Sequence, residues 1–352
     1  MPEAPQAAST ASTAQAPSAP TWFSCQVASA NLLNLALPGQ VFYANQDPWS
    51  EPEFGRKRAW LGAMFSRLQA DVLGVQEVWH LDALRACVND SGLRQAHVVA
   101  PGAETGAQDT PRVGLVSRWP LLELNSHAAF DAADVLDIPE LGPHTRFERP
   151  VLHARVQAPP ASGGLVLNVL VCHLKSKRPK FLQDDSGRPQ EDRDDPAITA
   201  RATLRSLLMR AAEAAALRRL VVGLTAGSKD PLILLGDLND GPASVTSQII
   251  AANHEIAYER QARDTALFHA WDVQTAPAVR RDGAGYAYSH LHQGVPEMLD
   301  QIWVSEEFVA SSRFARGDVR RVEVFNDHLH ESRERWRSDH GFVRALLRWR
   351  VG

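Results

Sequence analysis

The segment Pro231-Leu-Ile-Leu-Leu-Gly-Asp-Leu-Asn-Asp-Gly241 constrains the fold more than any other stretch of the chain. Leu232 to Leu235 form a short apolar run between a proline and a glycine, the pattern of a strand buried on both faces. Directly after it come Asp237, Asn239 and Asp240. Asp237 and Asn239 are two residues apart, so in an extended chain they point the same way. At a strand end such a pair can bind a hard cation, orient water and donate a hydrogen bond to an anion. The same letters also spell an Asn-Asp-Gly turn, which is favoured on conformational grounds alone. The rest of the chain decides between the two.

At 352 residues the length allows one large domain or two smaller ones. A net charge of −4 leaves no global footprint for nucleic acid, so any grip on a polyanion must come from a local patch. The three cysteines, Cys25, Cys87 and Cys172, fit neither a disulfide framework nor a zinc pattern, which points to a reducing, cytoplasmic compartment and leaves export open. No apolar run is long enough to span a membrane. Residues 1–21 are almost entirely Ala, Pro, Ser, Thr and Gln and read as a disordered tail. Residues 22–352 read as one folded unit, expected to be monomeric.

Several apolar runs end in a polar residue. Phe23 to Asn34 reads as a buried strand containing Asn31, either a turn asparagine or an amide placed to hold a ligand. Gly55 to Leu68 spaces Trp60, Met64 and Leu68 four apart, predicting a helix whose basic residues face solvent. Asp71 to His80 is a second strand and carries Glu77, an acid at a core boundary that needs a partner: a salt bridge, a cap or a metal. Arg149, beside Pro150 at a strand start, reads as an exposed ion pair or a phosphate clamp. Leu165 to His173 is a dense strand, followed at once by Lys175, Lys177, Arg178 and Lys180, a basic run suited to phosphate. The acidic, Gly- and Pro-containing segment 184–196 reads as a surface loop over the site.

Ala197 to Ala226 is the longest helical pattern, with Leu204, Leu207, Leu208, Ala211 and Ala215 on its apolar face and its arginines in solvent. Val245 to Ile250 predicts a short helix, and Tyr286–His290 and Glu297–Val304 predict strands. Asp300 lies inside the second of these and needs a cationic or hydrogen-bonding partner if buried. Asp339 and His340 precede the last strand, Phe342 to Leu347, and supply an acid and an imidazole to one rim.

Gathered on one rim of a sandwich, these residues would form a cleft of carboxylates, amides and imidazoles. Oxygen-rich ligation suits Mg2+ or Mn2+ better than zinc. A hard divalent ion with nearby histidines and lysines can neutralise phosphate and orient water for in-line attack.

The motif order resembles the endonuclease/exonuclease/phosphatase superfamily, the DNase I-like fold. The matching elements are SANLLN with Asn31, VQEV with Glu77, SRWP, CHLKS with His173, GDLND, LDQIWVS and SDHGFV. The resemblance implies an α/β (α+β) four-layer sandwich: two packed mixed β-sheets flanked by helices. It implies a metal-dependent phosphoesterase in which Glu77, with Asn31 and Asp339, holds Mg2+ or Mn2+. Asp237 and Asn239 would orient the attacking water and contact the phosphate. His340, oriented by Asp300, would be acid/base or stabilise developing charge, and His173 would bind phosphate or protonate the leaving oxygen. Arg149, Lys175 and Lys177 would bind substrate phosphate.

The Cys-Asp-Arg triplet of inositol-phosphatase relatives is absent, and Leu33 stands where abasic-site endonuclease relatives carry an acid. Gln301 occupies a position where tyrosine or histidine is common. The HLKSK run is similar to that of bacterial DNases, so a nuclease with nucleic acid as substrate is the leading expectation. A phosphatase or phosphodiesterase acting on a small molecule or lipid headgroup is the alternative, marked by a closed pocket under loop 184–196. A non-catalytic binding protein of the same fold would have lost Glu77 or Asp237, and both are present.

Overall fold

The computed structural model describes residues 21–351 apart from 44, 107, 185, 253–259, 277–286 and 332–333. In chain order the first elements are β1 (Thr21–Leu35), α1 (Glu51–Leu68), β2 (Val72–Val78), α2 (Leu81–Asn89), β3 (His97–Val99), β4 (Arg112–Ser117) and β5 (Leu121–Ala129). A small hairpin, β6 (Leu136–Ile138) and β7 (Gly142–His144), leads into β8 (Arg146–Gln157), β9 (Val166–His173), the long helix α3 (Pro196–Thr225) and β10 (Leu232–Asp237). Then come α4 (Val245–Ala251), α5 (Arg260–Thr265), β11 (Phe268–His269), α6 (Ala270–Val273), a second hairpin β12 (His290–His292) and β13 (Val295–Glu297), and the strands β14 (Asp300–Val304), β15 (Gly317–Phe325) and β16 (Phe342–Val351).

The strands form two six-stranded mixed sheets. One has the order β15-β16-β1-β2-β4-β3 and the other β11-β14-β10-β9-β8-β5. The run from Leu232 to Leu235 is fully buried and pairs on both edges, parallel to β9 and antiparallel to β14. A strand so placed needs apolar side chains on both faces, and its sequence provides them. The sheets meet through Val27, Val72 and Leu115 on one side and Val169, Ile233 and Ile302 on the other. Helices α1 and α2 cover the outer face of the first sheet, where Leu61, Phe65 and Leu84 pack on Leu73 and Val75. Helices α3 and α4 cover the second through Leu217, Val221 and Ile250 against Leu170, Leu232 and Trp303. Full burial of each such side chain contributes about 1.5–3 kcal/mol.

Two glycines permit close approaches that a side chain would block. A Cβ at Gly74 would lie 3.0 Å from Leu235 Cβ across the sandwich. At Gly236 it would lie 2.3 Å from the carbonyl oxygen of Cys172 on β9.

The helix predicted from Gly55 begins at Glu51, because Ser50 and Glu53 form a reciprocal capping box. Its basic residues do not all face solvent: Lys57 is fully buried. The face assigned to the core in α3 is also wrong. Leu204 and Leu207 are 49% and 43% exposed, whereas Arg205 and Arg210 are buried. The strand expected from Glu297 starts at Asp300, with Glu297 closing the β12–β13 hairpin. In the predicted strand Tyr286–His290, Tyr286 lies outside the described residues, and pairing begins only at His290. The tail expected over residues 1–21 is shorter at its end, since Thr21 is the first residue of β1; residues 1–20 lie outside the described ones. All three cysteines are buried and free. Among the described residues no helix is long and apolar enough to cross a membrane.

Candidate active site

Strand register assembles half of the site. On β10, Asp237 pairs with His173 of β9 on one side and with Asp300 of β14 on the other. The three stand in one row across the second sheet, each at the end of its strand or its first residue. The first sheet supplies Asn31, opposite Gln76 in the β1–β2 register, and then a bulge between Val75 and Val78 throws Glu77 out of the ladder. Glu77 has φ +64°, and Leu33, Asn34 and Asn239 also lie in the left-handed region at +50°, +51° and +52°. Each such residue costs on the order of 1–3 kcal/mol and persists where its surroundings dictate it. Here the surroundings are hydrogen bonds: Asn34 N–H donates to Glu77 Oε2 at 2.8 Å and Asn239 N–H to Asp237 Oδ1 at 2.8 Å. Two indoles hold Asn34 in turn, Trp49 donating to its carbonyl and Trp79 to its side-chain oxygen.

Asn31 joins the sheets. Its Nδ2 donates to Glu77 Oε1 at 3.2 Å and to Asp237 Oδ2 at 3.0 Å. Its side-chain oxygen accepts from Leu33 N–H, so Asn31 stands between the two carboxylates with both ends of its amide engaged. Ser338 donates to the Asn31 carbonyl and accepts from His340 N–H, which brings the start of β16 to the same point. His340 Nδ1 lies 2.7 Å from Asp300 Oδ2, and its Nε2 faces Asp237 Oδ2 at 3.8 Å. His173 Nε2 approaches that same oxygen at 3.5 Å.

These contacts set opposite charge states on the two histidines. Burial lowers the His340 pKa, but the Asp300 and Asp237 carboxylates outweigh it and hold it well above the usual imidazole value. Burial, with Arg149 and His340 nearby, pushes His173 well below that value. The surroundings thus favour the imidazolium at His340 and the neutral ring at His173. Burial raises the Asp237 carboxyl, with Asp300 adding to it, and raises Glu77, with Asp339 adding like charge.

The residues line a cleft of about 680 Å3. Glu77, Asp237, Asn239, Asp339, His173 and His340 form its floor, and Arg149, Ser176, Lys177 and Arg178 one wall. Asp300 lies beneath, fully buried behind His340. Arg149 is 8% exposed and is no surface ion pair: it donates to the carbonyls of His173 and Leu174 at 2.9 and 2.6 Å. Lys177 reaches Glu297 and Asp240. Lys175 is buried, with its amine on Ser176, and does not line the cleft. Gln301 alternates with Asp300 and points the other way, donating to the Asp240 carbonyl at 2.6 Å.

Tyr43, Trp49, Arg335, His290 and His292 also border the cleft and were not singled out from the sequence. The His-Leu-His alternation of 290–292 was the available signal, since residues two apart on a strand share a face. The His290 ring lies 4.9 Å from the His340 ring, tilted by 44°, and the two residues pair in an isolated bridge.

Could these residues hold a hard cation? Among the described residues, Glu77 accepts hydrogen bonds only from amide N–H groups and the buried Asp300 Oδ1 has no hydrogen-bond partner, while Asp339 raises the Glu77 pKa. Oxygens of Asp237 and Asp300 and a nitrogen of His340 lie within 4.8 Å of one another, as do ligand atoms of His290, Asp339 and His340. Crowded carboxylates at the mouth of an apolar sandwich are what a divalent ion relieves, so the donor set fits.

An acid-lined cleft at the strand ends of a β-sandwich, bordered by Arg149, Lys177 and Arg178, is that of hydrolases that act on phosphoesters. Residues 28–340 match the Endonuclease/Exonuclease/phosphatase family, and the chain belongs to it. Members of that family are phosphoester hydrolases, generally dependent on divalent metal. The fold is similar to an endonuclease/exonuclease/phosphatase family protein from Bacteroides thetaiotaomicron, with 15% identity and a TM-score of 0.56 over 94% of this chain and all of that one. A mannosyl-6-phosphatase from the same organism gives 15% identity and a TM-score of 0.54 over 92% and 99%. The human Nocturnin catalytic domain with bound sulfate gives 16% and 0.54 over 94% and 99%. These likenesses establish the DNase I-like fold. No curated protein sequence matches the chain significantly.

Proposed function

We propose that residues 22–352 act as one catalytic unit, a Mg2+- or Mn2+-dependent phosphodiesterase that cleaves nucleic acid. The observation that carries this reading is the basic run along one edge of the cleft, not covered by the acidic loop. Ser176, Lys177 and Arg178 line the cleft, and no described residue of loop 184–196 does. A closed pocket under that loop was the mark of the small-phosphoester alternative. A basic run beside the acids suits a backbone that runs on past the scissile phosphate.

Glu77, with Asn31 and Asp339, would hold the ion. When bound, the ion supplies charge neutralisation at the phosphate and the leaving oxygen. Asp237, its basicity raised by burial, orients a water and takes its proton as the water oxygen bonds to phosphorus. The bond from phosphorus to the leaving oxygen breaks, and that oxygen takes a proton from solvent. The His340 imidazolium, fixed by Asp300, faces the charge that develops on the phosphoryl oxygens, and the Asn239 amide donates beside it. His173 is neutral, so it serves as a hydrogen-bond donor and not as a proton store.

The test is nicking of supercoiled plasmid with Mg2+ or Mn2+, beside an EDTA control and Asp237→Ala. Metal-dependent nicking that drops by about 10²–10⁴ in the variant is expected. No nicking at high enzyme, with phosphate released from small esters, would replace the nuclease by the alternative.

A further inference from the structure

Helix α3 turns Arg205 and Arg210 inward and Leu204 and Leu207 outward, against the pattern of an ordinary amphipathic helix. Buried charges are costly unless paired, so the inward face must meet something that needs them. What it meets is the backbone of residues 175–180, an irregular segment that leaves β9 and supplies the basic wall of the cleft. Backbone groups there have no ladder to join and need partners from elsewhere.

Helix α3 provides those partners, level by level. Glu213 accepts from Lys175 N–H at 2.6 Å with one oxygen and from Glu148 N–H at 2.9 Å with the other. Arg210 donates to the Lys175 carbonyl at 3.2 Å and approaches Asp240 at 3.4 Å. Ser206 donates to the Arg178 carbonyl, and Arg205 to the Lys180 carbonyl at 3.1 Å. Glu213 is fully buried, and Arg149, donating to His173 and Leu174, lies electrostatically close to it.

We propose that Glu213 and Arg210 are positioning residues: from behind, they fix the backbone of 173–180 so that Ser176, Lys177 and Arg178 face the cleft and grip the substrate. This rests on the phosphodiesterase reading, because the grip is defined by that substrate. Glu77 and His340 are carried by the first sheet and not by the one α3 covers, so losing the brace weakens binding more than chemistry.

Three variants of the full chain test it: Glu213→Gln, whose single oxygen accepts only one of the two N–H groups; Arg210→Met, which keeps the alkyl volume; and Leu204→Ala, on the exposed face of the same helix. Amide exchange over 173–180 should rise by about tenfold or more in the first two and stay unchanged in the third, with β1 and β16 protected in all. With a cleaved oligonucleotide, KM should rise about tenfold while kcat stays within about threefold. Unchanged exchange in both brace variants overturns the proposal. So does a fall in kcat at unchanged KM, the mark of a smaller folded fraction. Should Glu213→Gln fail to fold, Arg210→Met carries the test alone. Exchange is read without turnover: loosening in a protein that cleaves no nucleic acid would uphold the brace and sink the nuclease reading.

Discussion

Asp237, His173 and Asp300 were legible because a polar residue interrupting an apolar strand is conspicuous, and register then aligned them in a row. Glu77 was visible as a type, but the left-handed backbone that aims it was not, because a bulge arises from the neighbouring strand's pairing and leaves no local signature. The ionisation of His340 depends on Asp300, forty residues away in sequence, and so was visible only as a suggestion. If the reaction needs the imidazolium, activity is lost as pH rises through the raised His340 pKa. Asp300→Asn removes the charge that raises it, so the alkaline limb of kcat should move to lower pH; a limb that stays put would separate His340 from that limb. Lys57 offers a stability test. Burial lowers its pKa from 10.5 to about 8, against the pull of Cys87 and Glu77, and its amine has no hydrogen-bond partner, only the Trp49 ring at 4.8 Å. Below pH 8 both folded and unfolded chains hold the proton, and the cost of burying it is fully present. Between 8 and 10.5 the unfolded chain binds more protons, so stability rises with pH. Lys57→Met should therefore stabilise the metal-free protein at pH 7 by on the order of 3 kcal/mol and flatten that rise, as read by denaturant melts in EDTA.

At the scale of elements, the long apolar strands and the helices α1, α3 and α4 could be read from periodicity, and their ends were within a few residues. The facing of α3 could not, because hydrophobic patterning assumes an apolar floor and this helix lies partly on irregular backbone. Where the floor is polar, arginines belong inside. The short hairpins were missed for a different reason: three-residue strands such as β12 and β13 are held by what they dock on, not by their own composition. Gly236 shows how tightly strand spacing is set at the site. Gly236→Ala places a methyl carbon on the Cys172 carbonyl, forcing β9 and β10 apart just before Asp237 and His173. A loss of about 1–3 kcal/mol in melting experiments is expected, together with reduced turnover. Wild-type stability in that variant would mean the two strands have slack.

Across the whole molecule, a net charge of −4 and a basic cleft wall combine to make affinity local and salt-sensitive. Lys177 is already held by Glu297 and Asp240, so a phosphate must compete with two carboxylates for it. Lys177→Ala should weaken oligonucleotide binding and lower the slope of log K against log salt by about one. An unchanged slope would remove Lys177 from the interface. The whole fold was legible only through the order of weak motifs, since no single one specifies two stacked sheets.

The first sheet closes by pairing β1 with β16, Thr21 opposite Val351. The earliest strand of the described chain therefore waits for the latest, and the loop carrying Asp339 and His340 is seated by that closure. Contacts of such long sequence separation form late and slowly. During synthesis Asn31, Glu77, His173 and Asp237 leave the ribosome well before Asp339 and His340, so a growing chain holds an incomplete site until its last described strand is made.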